Sequence, residues 1–215
     1  MRAAIFALVS VGALAACSPS APSGESGQAS VSDVFPNLNA AAFRAEANIM
    51  REGQTVPVVM IRDGQKLRME INAPQGQSII ITNGETGESF IVATAMGQTH
   101  AMRLQQQDNE DPTADWQGEM TTAARTGSCS IAGENGAEWT RDEGGTPHTA
   151  CVTSDGIILR ATEGGQTVWE TTSVQRGPQS ADLFTLPEGV QVIDLNNMGA
   201  AMEDMMARAR AQAGQ

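Results

Sequence analysis

The sequence predicts a mainly β chain, built as a strongly curved antiparallel sheet or half-barrel with flanking helices and a C-terminal amphipathic helix. Three observations carry this. Short runs of period-two alternation recur through residues 43–174, the spacing at which successive strand side chains face opposite sides. Turn dipeptides separate the runs, among them Asp63-Gly64, Asn83-Gly84, Asp155-Gly156 and Gly164-Gly165. Sustained helical periodicity is confined to residues 196–215, and no parallel strand–helix–strand spacing occurs.

The chain opens with Arg2, an apolar run over residues 3–11 and the tetrapeptide Leu14-Ala15-Ala16-Cys17. A basic start, a short apolar stretch and small residues before a cleavage point describe an export signal, here residues 1–16. The run is shorter than the roughly 20 residues that a bilayer-spanning anchor needs. Leu14-Ala15-Ala16-Cys17 resembles the lipobox of bacterial lipoproteins. The resemblance implies diacylglycerol on the Cys17 thiol, cleavage before it and N-acylation of the new terminus. The other reading is a secretory signal that happens to contain a cysteine. Several acyl chains, at about 0.8 kcal/mol per buried CH2, would hold a protein to a membrane where one chain binds only marginally. Ser18 stands where lipoproteins retained in the inner membrane commonly carry Asp. The implied address is the periplasmic face of the outer membrane. Residues 17–32 follow the cysteine with Ser, Pro, Gly and Ala and read as a disordered tether.

Residues 33–195 form the β domain. Val34-Phe35-Pro36-Asn37-Leu38 begins it, with a short helix expected through Ala40-Ala41-Ala42. Phe43, Ala45, Ala47 and Ile49 then alternate with Arg44, Glu46 and Asn48, as a half-buried strand requires. A run over residues 56–62 meets Asp63-Gly64, beyond which Leu67, Met69 and Ile71 alternate with polar residues. Asp-Gly between alternating runs is the strongest short hairpin signal. Pro57 cannot donate to a ladder, so its strand is expected at an edge or a bulge. Residues 78–82, 89–94 and 99–104 continue the meander, and Ile79-Ile80-Ile81 demands cover on both faces. Residues 105–128 read as a long polar loop with one short helical piece. A second β block follows at residues 137–141, 149–153, 157–162 and 167–174, and Leu183-Phe184-Thr185-Leu186-Pro187 is expected to close the sheet. Asn196 or Asn197 can cap the final helix, residues 196–215, which carries Met198, Met202, Met205 and Met206 on one side.

Asp63-Gly64-Gln65-Lys66-Leu67-Arg68-Met69-Glu70, the Ile79-Ile80-Ile81 run and Asn83-Gly84 resemble the first half of the half-barrel envelope proteins. The best-known members of that family are the LolA carrier and the LolB outer-membrane receptor for lipoproteins. Ile131-Ala132-Gly133-Glu134 and Cys151-Val152-Thr153-Ser154-Asp155-Gly156-Ile157-Ile158-Leu159-Arg160 resemble its second half. The likeness spans residues 43–190 and implies a curved sheet whose concave apolar face, lidded by helices, holds acyl chains. The sequence departs from that pattern in its aromatics, with five Phe, three Trp and no Tyr.

A formal charge of −12 points away from nucleic acid as a partner and from flat contact with anionic lipid. With Cys17 taken by lipid, Cys129 and Cys151 form an even pair in an oxidising setting, which favours a structural disulfide. A redox or metal-binding pair is the alternative, although neither cysteine sits in a Cys-x-x-Cys motif.

Other candidate sites have plainer readings. Asp108, Glu110, Asp111, Asp115 and Glu119 suggest calcium, but Pro112 and Thr113 occupy the fifth and sixth loop positions, where an EF-hand needs a Gly turn at the sixth. A solvated loop accounts for the acidic residues. His100 and His148 with the two cysteines match no zinc spacing. The terminal methionines could bind Cu(I), pack softly against the sheet, or form a displaceable lid over an apolar cleft. No Gly-x-Ser-x-Gly, phosphate loop, dinucleotide fingerprint or His-Glu-x-x-His occurs, so neither catalysis, nor a metal, nor a cofactor is expected. The expected function is that of a lipid-anchored periplasmic binding module. Leu67, Met69, Ile71, Ile80, Phe90, Val92, Met202 and Met205 are its candidate cavity lining, and an acyl chain or lipoprotein its ligand. The alternative is a structural or assembly accessory of the outer membrane with a fully packed interior and a protein partner.

Overall fold

The computed structural model describes residues 34–51, 53–74, 76–95, 98–104, 111 and 113–194. The signal, Cys17, the tether and the terminal helix with Met202 and Met205 lie outside the described residues.

The alternating runs become one long, curved, open sheet. A first meander comprises β1 (Phe43–Arg51), β2 (Gln54–Asp63), β3 (Lys66–Ala73), β4 (Gly76–Asn83), β5 (Glu88–Ala95) and β6 (Gln98–Arg103). Helix α1 (Ala114–Glu119) and a 3-10 turn (Met120–Thr122) lead into a second. Its strands are β7 (Ala124–Ile131), β8 (Glu134–Glu143), β9 (Thr146–Val152), β10 (Ile158–Glu163) and β11 (Gln166–Arg176). A further 3-10 turn (Ala181–Phe184) precedes β12 (Gln191–Asp194). The order across the sheet is β12-β6-β5-β4-β3-β2-β1-β11-β10-β9-β8-β7. The two meanders therefore join where β1 pairs with β11, from Phe43↔Arg176 to Ile49↔Trp169. Gly144-Gly145 and Gly164-Gly165 have positive φ at both positions, the backbone that two-residue hairpin turns of matching twist require.

Curvature is visible in what comes together. Met69 on β3 and Ile158 on β10 line a single pocket, although they are four strands apart, roughly 19 Å on a flat sheet. A bulge in the β1–β11 ladder at Glu46/Ala47 and others along β10 increase the local bend and twist. The main core lies on the inner, concave side and includes Leu38, Phe43, Met60, Leu67, Met120, Trp139 and Trp169. Phe35 meets Trp139 edge to face, with ring centroids 5.5 Å apart, a geometry worth about 1 kcal/mol beyond area burial. A smaller cluster of Ile81, Val92 and Ala101 lies on the outer side under Leu186 and Val190. Ile80 faces inward and packs against the main core, so the three-isoleucine run is covered on both faces as expected.

Cys129 and Cys151 are disulfide-bonded, with Cα atoms 6.1 Å apart, and tie β7 to β9 across the intervening β8. Gly136 on β8 pairs with Cys129. A β-carbon there would lie 2.8 Å from the Val152 carbonyl oxygen and 3.1 Å from the Cys129 Sγ, so the crossing admits only glycine.

Several expectations are corrected. Ala40-Ala41-Ala42 is not helical. The Asn37 Oδ1 accepts from the Asn39 N–H at 2.9 Å, and the Asn37 carbonyl accepts from the Ala40 N–H, which makes a tight turn before the chain extends. The region read as loop through residue 128 contains β7, whose polar, small-residue sequence hides its strand character. Leu183-Phe184 is a 3-10 turn packed on the outer face of β3 and β4, and the sheet closes later, at β12. That strand runs parallel to β6, an exception to the antiparallel rule. Pro57 is on an interior strand, but β3 pairing stops at Val58↔Ile71, so β2 has only β1 beside it at the proline.

Candidate ligand pocket

Strand register decides which side chains meet on the concave face. One row runs Trp139, Ala150, Ala161, Trp169, Ile49 across β8, β9, β10, β11 and β1. A second runs Ala45, Met60, Met69, Ile80, Ile91, Met102 across β1 to β6. Two alanines between two tryptophans leave a trough in the first row, and Trp116 of α1 and Met120 border it with them.

Beneath α1 lies an apolar pocket of about 210 Å³. Ile49, Met60 and Met69 line one wall, Ile158, Val168 and Trp169 the other, and Trp116 and Thr113 the roof. The buried Trp169 indole is satisfied, donating to Thr171 Oγ1 at 3.0 Å, while that hydroxyl donates to the Ile158 carbonyl at 2.7 Å. The pocket wall therefore offers no unpaired donor at that indole, and its chemistry is dispersion and shape. A dry cavity of about 150 Å³ accepts a benzene-sized guest, whereas drug-sized ligands fill roughly 300 Å³ or more. The space suits the end of an acyl chain or one or two apolar side chains.

The roof is fastened by polar contacts. Arg62 sits on the inner face between Phe43 and Leu67, with 1% of its side chain exposed. Its guanidinium donates to Asp111 Oδ2 at 2.5 Å, Thr113 Oγ1 at 2.7 Å and Asn39 Oδ1 at 2.5 Å. Thr113 in turn donates its hydroxyl to Asp111 Oδ1 at 2.7 Å. Gln117 Oε1 accepts the Leu38 N–H at 2.7 Å, and Arg141 on β8 donates to Glu119 at 2.7 Å. One buried fork thus joins β2, the segment before β1 and the residues that lead into α1.

The expected lining residues divide. Met69 lines the pocket, Leu67 is fully buried beside it, and Ile71 and Ile80 share its face and pack against the main core. Phe90 and Val92 are corrected to the opposite face. They pair with Ile81 and Ile79, not with Ile80. Phe90 lies under the Arg103 guanidinium, 4.7 Å from the ring centroid, and Val92 belongs to the outer cluster. Met202 and Met205 lie outside the described residues. His100 and His148 are on β6 and β9, well separated in the sheet. Sequence reasoning missed Ile49, Met60, Trp116, Ile158, Val168 and Trp169. Met60 had a readable signal, since its parity in β2 matches that of Val58.

No family model matches the chain, and no curated protein does. Solved structures share its outline. The complex of Pseudomonas aeruginosa MucA and MucB aligns over 73% of this chain and 59% of that one at 13% identity, with a TM-score of 0.49. MucB with the periplasmic part of MucA aligns over 73% and 58% at 12% identity and 0.47. A PNGF-II structure aligns over 75% and 33% at 15% identity and 0.47. The chain thus covers about a third of PNGF-II and under two thirds of MucB. At these scores the likeness is one of general shape, and no ligand or partner follows from it.

Proposed function

We propose that this chain is a lipid-anchored binding module of the bacterial periplasm, held at the outer membrane through Cys17, that accommodates the end of an acyl chain or another apolar segment. The observation that carries the reading is the apolar pocket of about 210 Å³ under a helix whose approach is clasped by Arg62. A pocket walled by Ile, Met, Val and Trp binds what water rejects. The lipobox resemblance supports the anchor, and the Cys129–Cys151 bond fits an oxidising compartment.

The test uses the full-length Cys17→Ser chain, purified and examined by native mass spectrometry for retained lipid, then titrated with a fluorescent twelve-carbon fatty acid. Filling the pocket with Val168→Phe is expected to weaken probe binding about tenfold with the urea midpoint little changed. Equal affinity for both proteins would remove the pocket from the account. One observation favours the accessory reading: Leu67, Met120, Trp139 and Trp169 fill the interior around the pocket. A lipid-free mass with no probe binding would select that alternative, a structural or assembly role through protein contacts.

A further inference from the structure

One row beyond Trp139, Ala150 and Ala161 on the inner face, strand register sets Arg141, His148 and Glu163 side by side across β8, β9 and β10. A second pocket, of about 240 Å³, opens there. Buried Ala150 and Ala161 line it together with Trp116, Glu119 and Glu143. Its charges do not balance. Arg141 Nη2 donates to Glu119 Oε2 and to Glu143 Oε2, at 2.7 Å each. The Glu163 carboxylate makes no hydrogen bond or ion pair among the described residues. Three carboxylates against one guanidinium leave the pocket two charges negative, with His148 counted neutral. No three His, Cys, Asp or Glu side chains among the described residues are grouped to hold a metal ion. An indole, small alanines and surplus carboxylate suit an organic cation.

We infer that this pocket receives an arginine side chain from a partner polypeptide. Glu119 comes from α1, Glu143 from β8 and Glu163 from β10. A guanidinium stacks on an indole and presents forked donors to carboxylates on separate elements, whereas an ammonium is a point charge. The space admits one long side chain and falls short of the roughly 300 Å³ that a drug-sized ligand fills. Arg141 supplies the reason for a polypeptide. Its Nε is shielded from solvent and has no hydrogen-bond partner among the described residues. A simple amine leaves that donor unmet, while a peptide carbonyl beside the incoming arginine can accept from it. Trp116 also lines the apolar pocket, so a segment with an apolar residue close to its arginine fills both. The arginine site itself stands apart from the acyl reading above.

The probe is the acetylated, amidated peptide Ala-Ala-Arg-Ala-Ala, with Ala-Ala-Gln-Ala-Ala as its neutral control. Each is titrated into the isotope-labelled full-length Cys17→Ser chain while the Trp116 indole N–H is followed by NMR, its signal assigned with Trp116→Phe. The arginine peptide is expected to move that signal and to bind at least about fivefold tighter than the control. A Glu143→Gln, Glu163→Gln variant should bind it about fivefold more weakly than the parent. Glu46→Gln with Glu85→Gln makes the same charge change at exposed positions outside the pocket, and should bind it as the parent does. Equal weakening by both variants would reduce the binding to diffuse attraction by an acidic chain and overturn the site. Equal affinity for the two peptides, or an unmoved Trp116 signal, overturns it as well. A response to phosphorylethanolamine but not to the arginine peptide assigns the cation to a lipid headgroup and overturns the polypeptide partner. Failure of the fatty-acid probe leaves this result standing, because the peptide carries no long apolar group.

Discussion

Arg62 occupies a position that the alternation of β2 reserves for an apolar side chain, since Val58 and Met60 precede it on the same face. Burying a guanidinium is costly unless its donors are met, and here three side-chain oxygens meet them within 2.7 Å. Removing one member of such a group leaves the other desolvated without a partner. Arg62→Ala is therefore expected to lower unfolding free energy by about 3 kcal/mol in urea titrations. Arg62→Lys should recover little of it, because a lysine cannot present the planar fork that reaches Asp111 and Asn39 together. The parity of Arg62 was open to inspection in the sequence. What was not readable is that its partners lie 23 and 49 positions away, for no local pattern encodes such a meeting.

At the level of elements, hairpin chemistry was the readable part. Gly64, Gly84 and Gly164-Gly165 all fall in turns between paired strands, Asp63 and Asn83 being the last strand residues before theirs. β7 escaped notice because Ala124–Ile131 is an edge strand with one neighbour and few large apolar residues. β12 escaped because four residues set no period of their own, and its partner β6 ends 88 positions before it begins. Phe90 and Val92 were assigned to the wrong face because β5 carries apolar residues on both parities, and only register to β4 distinguishes them. Turns are also tied to one another by charge. Arg176 at the end of β11 donates to Asp155 Oδ2 at 2.7 Å and to Glu134 at 2.9 Å, linking three strand connections. The Arg176 hydrogen bond, followed by that of Thr153, outweighs burial and holds the Asp155 carboxyl below its usual pKa. A depressed folded-state pKa contributes stability above the unfolded-state value near 4 that is lost as pH falls through the folded one. The stability gap between the parent and Asp155→Asn should thus be widest above about pH 5 and shrink towards pH 2 in urea melts.

Among the described residues the sheet is open and ends at β12 and β7, and open edges invite fraying and pairing with other chains. The β7 edge is stapled two strands inward by Cys129–Cys151, which closes a loop of 22 residues. In the chain-entropy account that closure contributes about 3 kcal/mol. A Cys129→Ala, Cys151→Ala protein should show that loss in denaturant, with amide exchange rising first in β7 and β8. Setting Cys17 aside as lipidated left Cys129 and Cys151 as the pair favoured for a bond, whereas the glycine crossing at Gly136 needed the register. The curvature that makes a pocket could be expected only as a fold class, because its walls come from both meanders and from a helix between them. The seam at the middle of the sheet has one more consequence, for biogenesis. Phe43 leaves the ribosome early, yet its ladder partner is Arg176, so the centre of the sheet waits for a strand made 133 residues later. Until then β1 has one satisfied flank, and long-range pairing of this kind is slow to nucleate. The middle of the architecture therefore snaps shut only once its last long strand has been made.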